Sequence, residues 1–232
     1  FYTGVTEGNI SSDRLIAMMN VKDDQLVIEQ KGIYSVEKFI IARRLMYWQV
    51  YLHKTGLVAE NILVNVLKRA KELAEKGTNL YCSSALKYFL YNQISKNNFT
   101  EETLEMFSKL DDYDILSAVK EWVHHEDCVL SLLSSMIVDR KLLKIEMQED
   151  TFSENYFRKK REKAMKQLHL SNKEVDYFVF HQKISNQAYN LKAPVYILTK
   201  KGNLEDISRA SDQLNLQALT IPVVKHFICY PK

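Results

Sequence analysis

Glycine and proline are scarce in this sequence, six and three in 232 residues, and so few helix breakers exclude collagen-like or loop-dominated architectures and favour long helices. Cysteine is equally sparse. Cys82, Cys128 and Cys229 stand far apart, in none of the C-x-x-C spacings of a structural zinc site or redox pair, so free thiols in a reducing compartment are expected. No uninterrupted apolar run reaches the ~18 residues of a membrane span. The opening FYTGVTEGN also lacks the basic and apolar regions of a secretory signal. These absences predict a soluble, cytoplasmic protein. Charge of one sign is missing too: 32 basic against 29 acidic side chains leave +3, too little to draw the whole protein onto nucleic acid or an anionic membrane. Any anion site must be local. An initiator Met is absent as well, and the aromatic opening reads as though cut from a longer polypeptide.

What is present suffices for a core: 46% of the residues are hydrophobic and 26% charged, compatible with one or two domains. Ser11 and Ser12 can cap a short helix through Met19. Leu26–Ile28 after the turn-like Lys22-Asp23-Asp24 reads as a short strand, part of a small hairpin. From Ser35, the spacing Val36, Phe39, Ile40, Met46, Tyr47, Val50 predicts a helix of about five turns, broken by Gly56. Further helices are expected from Val58 to Ala74, from Ser83 to Ile94, from the Asp111–Asp114 cluster through Trp122, and from Asp127 to Arg140. Composition shifts after Leu142. Leu143–Met147 and Val175–His181 alternate as strands around a charged helix from Asn155 to Lys166, and Val195–Leu198 and Ile221–Tyr230 supply two more strands around a short helix near Leu204–Leu214. The expected fold is therefore mostly α over residues 1–142, followed by a small α+β region over 143–232 with an antiparallel sheet.

The helix IIARRLMYWQVYLHK carries the most chemistry. Arg43 falls three and four residues from Phe39, Ile40, Met46 and Tyr47, which places a guanidinium on the apolar stripe. A buried unpaired charge costs several kcal/mol, so an anionic partner is required. Tyr47 and Tyr51 follow at four-residue steps, with Lys54 nearly back in line. That face can offer a bidentate fork to phosphate and aromatic rings to a sugar or base. Equally, Arg43 can pair with a buried carboxylate while the tyrosines fill the core.

With FYTGV at the start, the run YSVEKFIIARRLMYWQVYLHK resembles the segment that follows the metal site in HD-domain phosphohydrolases of the deoxynucleotide triphosphohydrolase type. The resemblance is specific over about residues 1–54 and implies an HD-like helical bundle portion for residues 1–142. It implies that Arg43 contacts the substrate triphosphate and Tyr51 lines the sugar pocket, with Tyr47 beside them. It further implies an activating nucleotide site at subunit contacts using Arg14, Lys31, His53 and Lys54, where solvated surface side chains are the plain alternative. Nucleotides and further copies of the chain are the partners it implies.

The family binds a divalent metal through two His and two Asp that include an adjacent His-Asp pair, and this sequence has no His-Asp dipeptide. Those ligands are expected upstream of Phe1, so no metal ligand and no catalytic residue is assigned within the chain, and the chain alone is expected to be inert. His124-His125 point about 100° apart on a helix, unlike the i, i+4 pair of H-E-x-x-H, and read as a polar helix junction. Arg158–Arg161 is interrupted by Glu154 and Glu162 and reads as a solvated face rather than a nucleic-acid surface. The leading expectation is part of a metal-dependent deoxynucleoside triphosphate triphosphohydrolase. The alternatives are a nucleotide-binding regulatory or oligomerisation module without catalysis and, last, a single-strand nucleic-acid binder.

Overall fold

Asp23 and Asp24 both adopt left-handed backbone angles, φ 50° and 59°, the geometry of a two-residue hairpin turn that short acidic side chains tolerate. They join β1 (Met19–Lys22) to β2 (Gln25–Glu29), paired antiparallel with Met19 opposite Ile28. The computed structural model describes residues 3–211 and 216–232. Phe1 and Tyr2, quoted above for the resemblance, lie outside them, as does the end of the helix expected to reach Leu214.

The chain divides into two units interleaved along the sequence. The first comprises Phe1–His53, Gln148–Asp150 and Lys183–His226; the second comprises Lys54–Met147, Thr151–Gln182 and Phe227–Lys232. The composition change after Leu142 lies inside the second.

In the first unit, α1 (Ser12–Ala17) precedes the hairpin, and α2 (Ile33–Met46) follows it through a short 3-10 turn, Gln30–Gly32. Gly32 is required there, because a Cβ would come 2.7 Å from Ile28 Cγ2 and 2.9 Å from Met18 Cβ. Val36 and Ile40, one turn apart on α2, pack with Ile28 and with Ile197 and Ile207 from the later part of the chain. A π-helical turn, Tyr47–Tyr51, extends α2, closed by Leu52 N donating to Tyr47 O at 2.7 Å. The helix thus ends at Leu52, not at Gly56, which sits in the first turn of the next helix.

The second unit is built on α3 (Lys54–Glu75), whose buried Leu57, Val58, Ile62, Val66 and Ala70 form one continuous stripe. It packs on α4 (Ser84–Tyr91) and α7 (Cys128–Val138), with α6 (Asp112–Trp122) against α7 and α5 (Glu101–Lys109) against α4. Helix α5 was not anticipated; Thr100 caps it by accepting from Thr103 N at 3.3 Å. Helix α8 (Glu154–Leu168) covers the charged run. Val175 lies in the 3-10 turn Glu174–Tyr177 and Phe178 and Val179 follow it, all three fully or nearly fully buried, so the strand expected from Val175 begins only at Phe180.

The tail strands also differ from expectation. β5 (Tyr196–Leu198) lies parallel to β2, and β6 (Leu204–Asp206) lies antiparallel to β5, giving a mixed four-stranded sheet in the order β1-β2-β5-β6. β3 (Lys144–Gln148), β4 (Phe180–Asn186) and β7 (Val223–Tyr230) make a three-stranded sheet in the order β3-β7-β4. Short helices α9 (Ile207–Ala210) and α10 (Leu216–Leu219) complete the first unit. Mostly α with a small α+β part is the observed class.

Candidate functional site

One face of α2 opens onto a pocket of about 310 Å³ in the first unit. Phe39, Ala42, Arg43, Met46 and Tyr47 line it at i, i+3, i+4, i+7 and i+8, with Gly8, Ile10 and Tyr51 completing the wall. Winding at 3.6 residues per turn would carry Tyr51 about 80° away from Arg43. The wider π turn returns it toward that line. The rings of Tyr47 and Tyr51 then lie 5.3 Å apart at 51°.

The Arg43 guanidinium lies 5.0 Å from the centre of the Tyr47 ring, and Nη1 donates to the carbonyl oxygen of Ala188 at 3.2 Å. The expected place of Arg43 on the buried apolar stripe is corrected, and its pairing with a buried carboxylate, the alternative to a phosphate contact, is not seen. Arg43 is exposed at the edge of the core-facing stripe, and among the described residues no acid pairs with it. The buried acid of α2 is Glu37, only 3% exposed, which accepts from the Ser211 hydroxyl. Tyr51 is 65% exposed. Its place at the pocket rim, like that of Tyr47, leaves its ring open to solvent on one side rather than filling the core.

Of the four residues associated with a second nucleotide site, two meet: Arg14 Nη2 donates to the backbone carbonyl of Lys31 at 3.3 Å. His53 follows the π turn, its N–H donating to Val50 O at 3.3 Å. Lys54 opens α3 in the second unit, so the single helical line from Arg43 to Lys54 does not exist.

Two polar centres of the second unit were not anticipated. In the first, Arg69 clamps Asp127 with Nε at 3.0 Å and Nη2 at 2.6 Å and donates through Nη1 to Glu72 at 3.1 Å, while Tyr177 donates its hydroxyl to Glu72. Burial pushes the Asp127 carboxyl up, but the Arg69 fork and the Leu130 N–H outweigh it and hold it below the ordinary carboxylate value. Burial, then the bond to Glu72, pushes the Tyr177 hydroxyl up to about 12. Arg69 and Asp127 are 58 residues apart, so no local spacing signals the pair. In the second centre, Glu146 accepts from Tyr156 at 2.6 Å and from Tyr230, and Lys160 lies 3.7 Å over the Tyr230 ring. Arg161 is taken by Asp176 and by Asn172 O at 2.9 Å. Half of the basic run Arg158–Arg161 is therefore committed internally, where a wholly solvated face was expected.

His125 Nδ1 accepts from Asp127 N at 2.9 Å, at the junction of α6 and α7. Among the described residues, no group of three or more His, Cys, Asp or Glu side chains is placed to hold a metal ion. Nor is any helix long and apolar enough to cross a membrane.

Residues 10–88 match the family described as the HD associated region. An uncharacterized protein of Bacillus subtilis (strain 168), YwfO, is 29% identical over 220 residues, covering 91% of this chain and 48% of its own length. An uncharacterized Methanocaldococcus jannaschii protein, MJ1154, is 28% identical over 152 residues, covering 58% of this chain and 32% of its own. The crystal structure of a phosphohydrolase (BT4208) from Bacteroides thetaiotaomicron VPI-5482 matches with a TM-score of 0.93 and 45% identity, over 100% of this chain and 58% of that one. A hypothetical protein from Aquifex aeolicus, with a TM-score of 0.56 and 21% identity, shares the fold. This chain thus spans about half the length of the Bacillus relative. Residues 10–88 are thus similar to the HD associated region, and the whole chain is similar to part of a protein described as a phosphohydrolase.

Proposed function

We propose that the chain is the C-terminal portion of a metal-dependent HD-domain phosphohydrolase that releases triphosphate from deoxynucleoside triphosphates. In this reading Arg43 contacts the triphosphate, Tyr51 lines the sugar pocket, and Tyr47 packs beside the guanidinium. The observation that carries it is the state of Arg43. Its hydrogen bond goes to a neutral carbonyl, in a pocket that Tyr47 and Tyr51 also line, which leaves the positive charge and most of its five N–H donors for an anion.

In this reading the metal and the chemistry it supports belong to residues outside these 232. Within the chain, the work is binding: holding phosphate oxygens with the fork and shielding one side of a sugar with the rings. Arg14, Lys31, His53 and Lys54 are assigned to an activating nucleotide at contacts between copies of the protein, and the protein is assigned to the cytoplasm.

The test is triphosphate release from deoxynucleoside triphosphates by the intact protein with Mg²⁺ or Mn²⁺, comparing native protein with Arg43→Ala. Metal-dependent release that falls with the substitution is expected. Tight nucleotide binding with no release under any metal would favour the regulatory or oligomerisation module instead.

A further inference from the structure

Arg43 is oriented by a segment far along the chain, and that segment is held by its own small network. Ala188, whose carbonyl accepts from Arg43 at 3.2 Å, and its neighbour Tyr189 are 6% and 4% exposed. Tyr189 is tied at both ends. Its backbone N–H donates to Leu219 O at 3.2 Å. Its hydroxyl donates to Asp206 Oδ2 at 2.6 Å and accepts from Val195 N at 2.9 Å. Asp206 is itself fixed as the cap of α9, its Oδ1 accepting from Ser208 N at 2.8 Å, and Gln187 donates to Thr220 O at 2.8 Å.

We infer that Tyr189 is a positioning residue for the anion site: locked by Asp206, it fixes the Ala188 carbonyl and through it the orientation of the Arg43 fork. The inference rests on the phosphate role proposed for Arg43. An exposed arginine is a long, flexible side chain, and bidentate capture of a phosphate needs its plane held near one orientation. A carboxylate would hold it more strongly, but would cancel the charge that the ligand must meet. A buried carbonyl occupies one N–H and leaves the charge intact. Such an acceptor orients the fork only if its own position is fixed, and the Tyr189 hydroxyl, with one partner on each side, supplies that fixity. Removing the hydroxyl strips Asp206 of a donor and the Val195 N–H of its acceptor, so the 187–189 segment is free to move by the tenths of an ångström that spoil a bidentate contact.

The experiment titrates inorganic triphosphate into the chain at low ionic strength, by calorimetry, and follows the Arg43 side-chain ¹⁵N signals by NMR. Arg43→Ala should weaken binding by about tenfold or more, and Tyr189→Phe by about threefold to tenfold, with loss of the slowly exchanging Arg43 Nη signal. Asp206→Ala should behave as Tyr189→Phe does, and Asp206→Asn, which keeps an oxygen to accept from the hydroxyl, should restore most of the affinity. If Tyr189→Phe does not fold, the Asp206→Ala and Asp206→Asn comparison carries the result. Weakening by Arg43→Ala with native affinity in both Tyr189→Phe and Asp206→Ala overturns the positioning role and leaves the phosphate role standing. Reduced affinity in Tyr189→Phe with unchanged Arg43 signals also overturns it. No effect of Arg43→Ala, or no binding by the unaltered chain, overturns the phosphate role and this inference with it.

Discussion

Arg43 and Ala188 are joined across 145 residues of sequence by one hydrogen bond of 3.2 Å, from Nη1 to a backbone carbonyl. The acceptor is neutral and the residue exposed, so this bond adds only about 1 kcal/mol to stability. Arg43→Ala should therefore leave the melting temperature of the intact protein nearly unchanged. It should nevertheless lower kcat/KM by about 2–4 kcal/mol, the range for losing one preorganised donor to a transition state. Arg43→Lys should recover only part, since an ammonium cannot reproduce the fork. Thermal midpoint and single-turnover rate measured on one preparation decide the matter: a lowered midpoint with full turnover would assign Arg43 to structure alone.

Tyr51 stands 65% exposed at the end of the π turn. Removing its hydroxyl should change stability by less than about 0.5 kcal/mol. If the ring and hydroxyl meet a sugar, Tyr51→Phe should raise KM more than it lowers kcat, and Tyr51→Ala should raise it further. Steady-state kinetics with a deoxynucleoside triphosphate provide the check. Equal KM in all three proteins would remove Tyr51 from the pocket.

Much of the fold was legible because it is written in local spacing. The buried stripe of α3 and the Asp111 and Asp127 caps are short-range patterns, and helices appeared where those patterns predicted them. The pairing of β2 with β5 was not legible, since nothing in Val27–Glu29 names a partner at Tyr196–Leu198. The site divides in the same way. The Arg43 and Tyr47 face is a helical period, whereas the π turn that brings Tyr51 back into line departs from that period and leaves no mark in spacing. Reading Arg43 as buried failed because the buried face of α2 runs through Val36, Glu37, Ile40 and Ala42, while Phe39, taken as core, is 41% exposed.

The basic run Arg158–Arg161 should separate into two pairs. Lys160 packs over Tyr230 beside Glu146, and Arg161 holds Asp176 and Asn172. Lys160→Ala and Arg161→Ala should each cost about 1 kcal/mol of stability, whereas Arg158→Ala and Lys159→Ala should cost almost nothing. Denaturant titration of the four variants reads this directly. A steep salt dependence of single-strand binding that drops by about 1.4 in slope when Arg158 and Lys159 are both replaced would instead show two phosphate contacts there.

The Arg69–Asp127 clamp is a two-pronged ion pair in the second unit, its side chains 14% and 16% exposed. Asp127 also caps α7, accepting from Leu130 N at 2.9 Å. Asp127→Ala loses both roles and should destabilise the protein by about 2–4 kcal/mol. Asp127→Asn keeps the cap acceptor and should lose less. Because the folded Asp127 carboxyl lies below its ordinary value, its contribution is complete above the unfolded value of about 3.9 and fades as pH falls through the folded one. The stability difference between native protein and Asp127→Asn should accordingly be flat near neutrality and shrink in acid. Tyr177 acts at the opposite end. With its hydroxyl pushed up to about 12, the neutral form is favoured on folding, so its contribution holds below the unfolded value of about 10 and is lost as pH rises through 12. Tyr177→Phe should remove that alkaline loss. Urea unfolding from about pH 3 to about pH 11 on the three proteins tests both ends, and an acid limb identical in native protein and Asp127→Asn would show that the clamp contributes nothing through its charge.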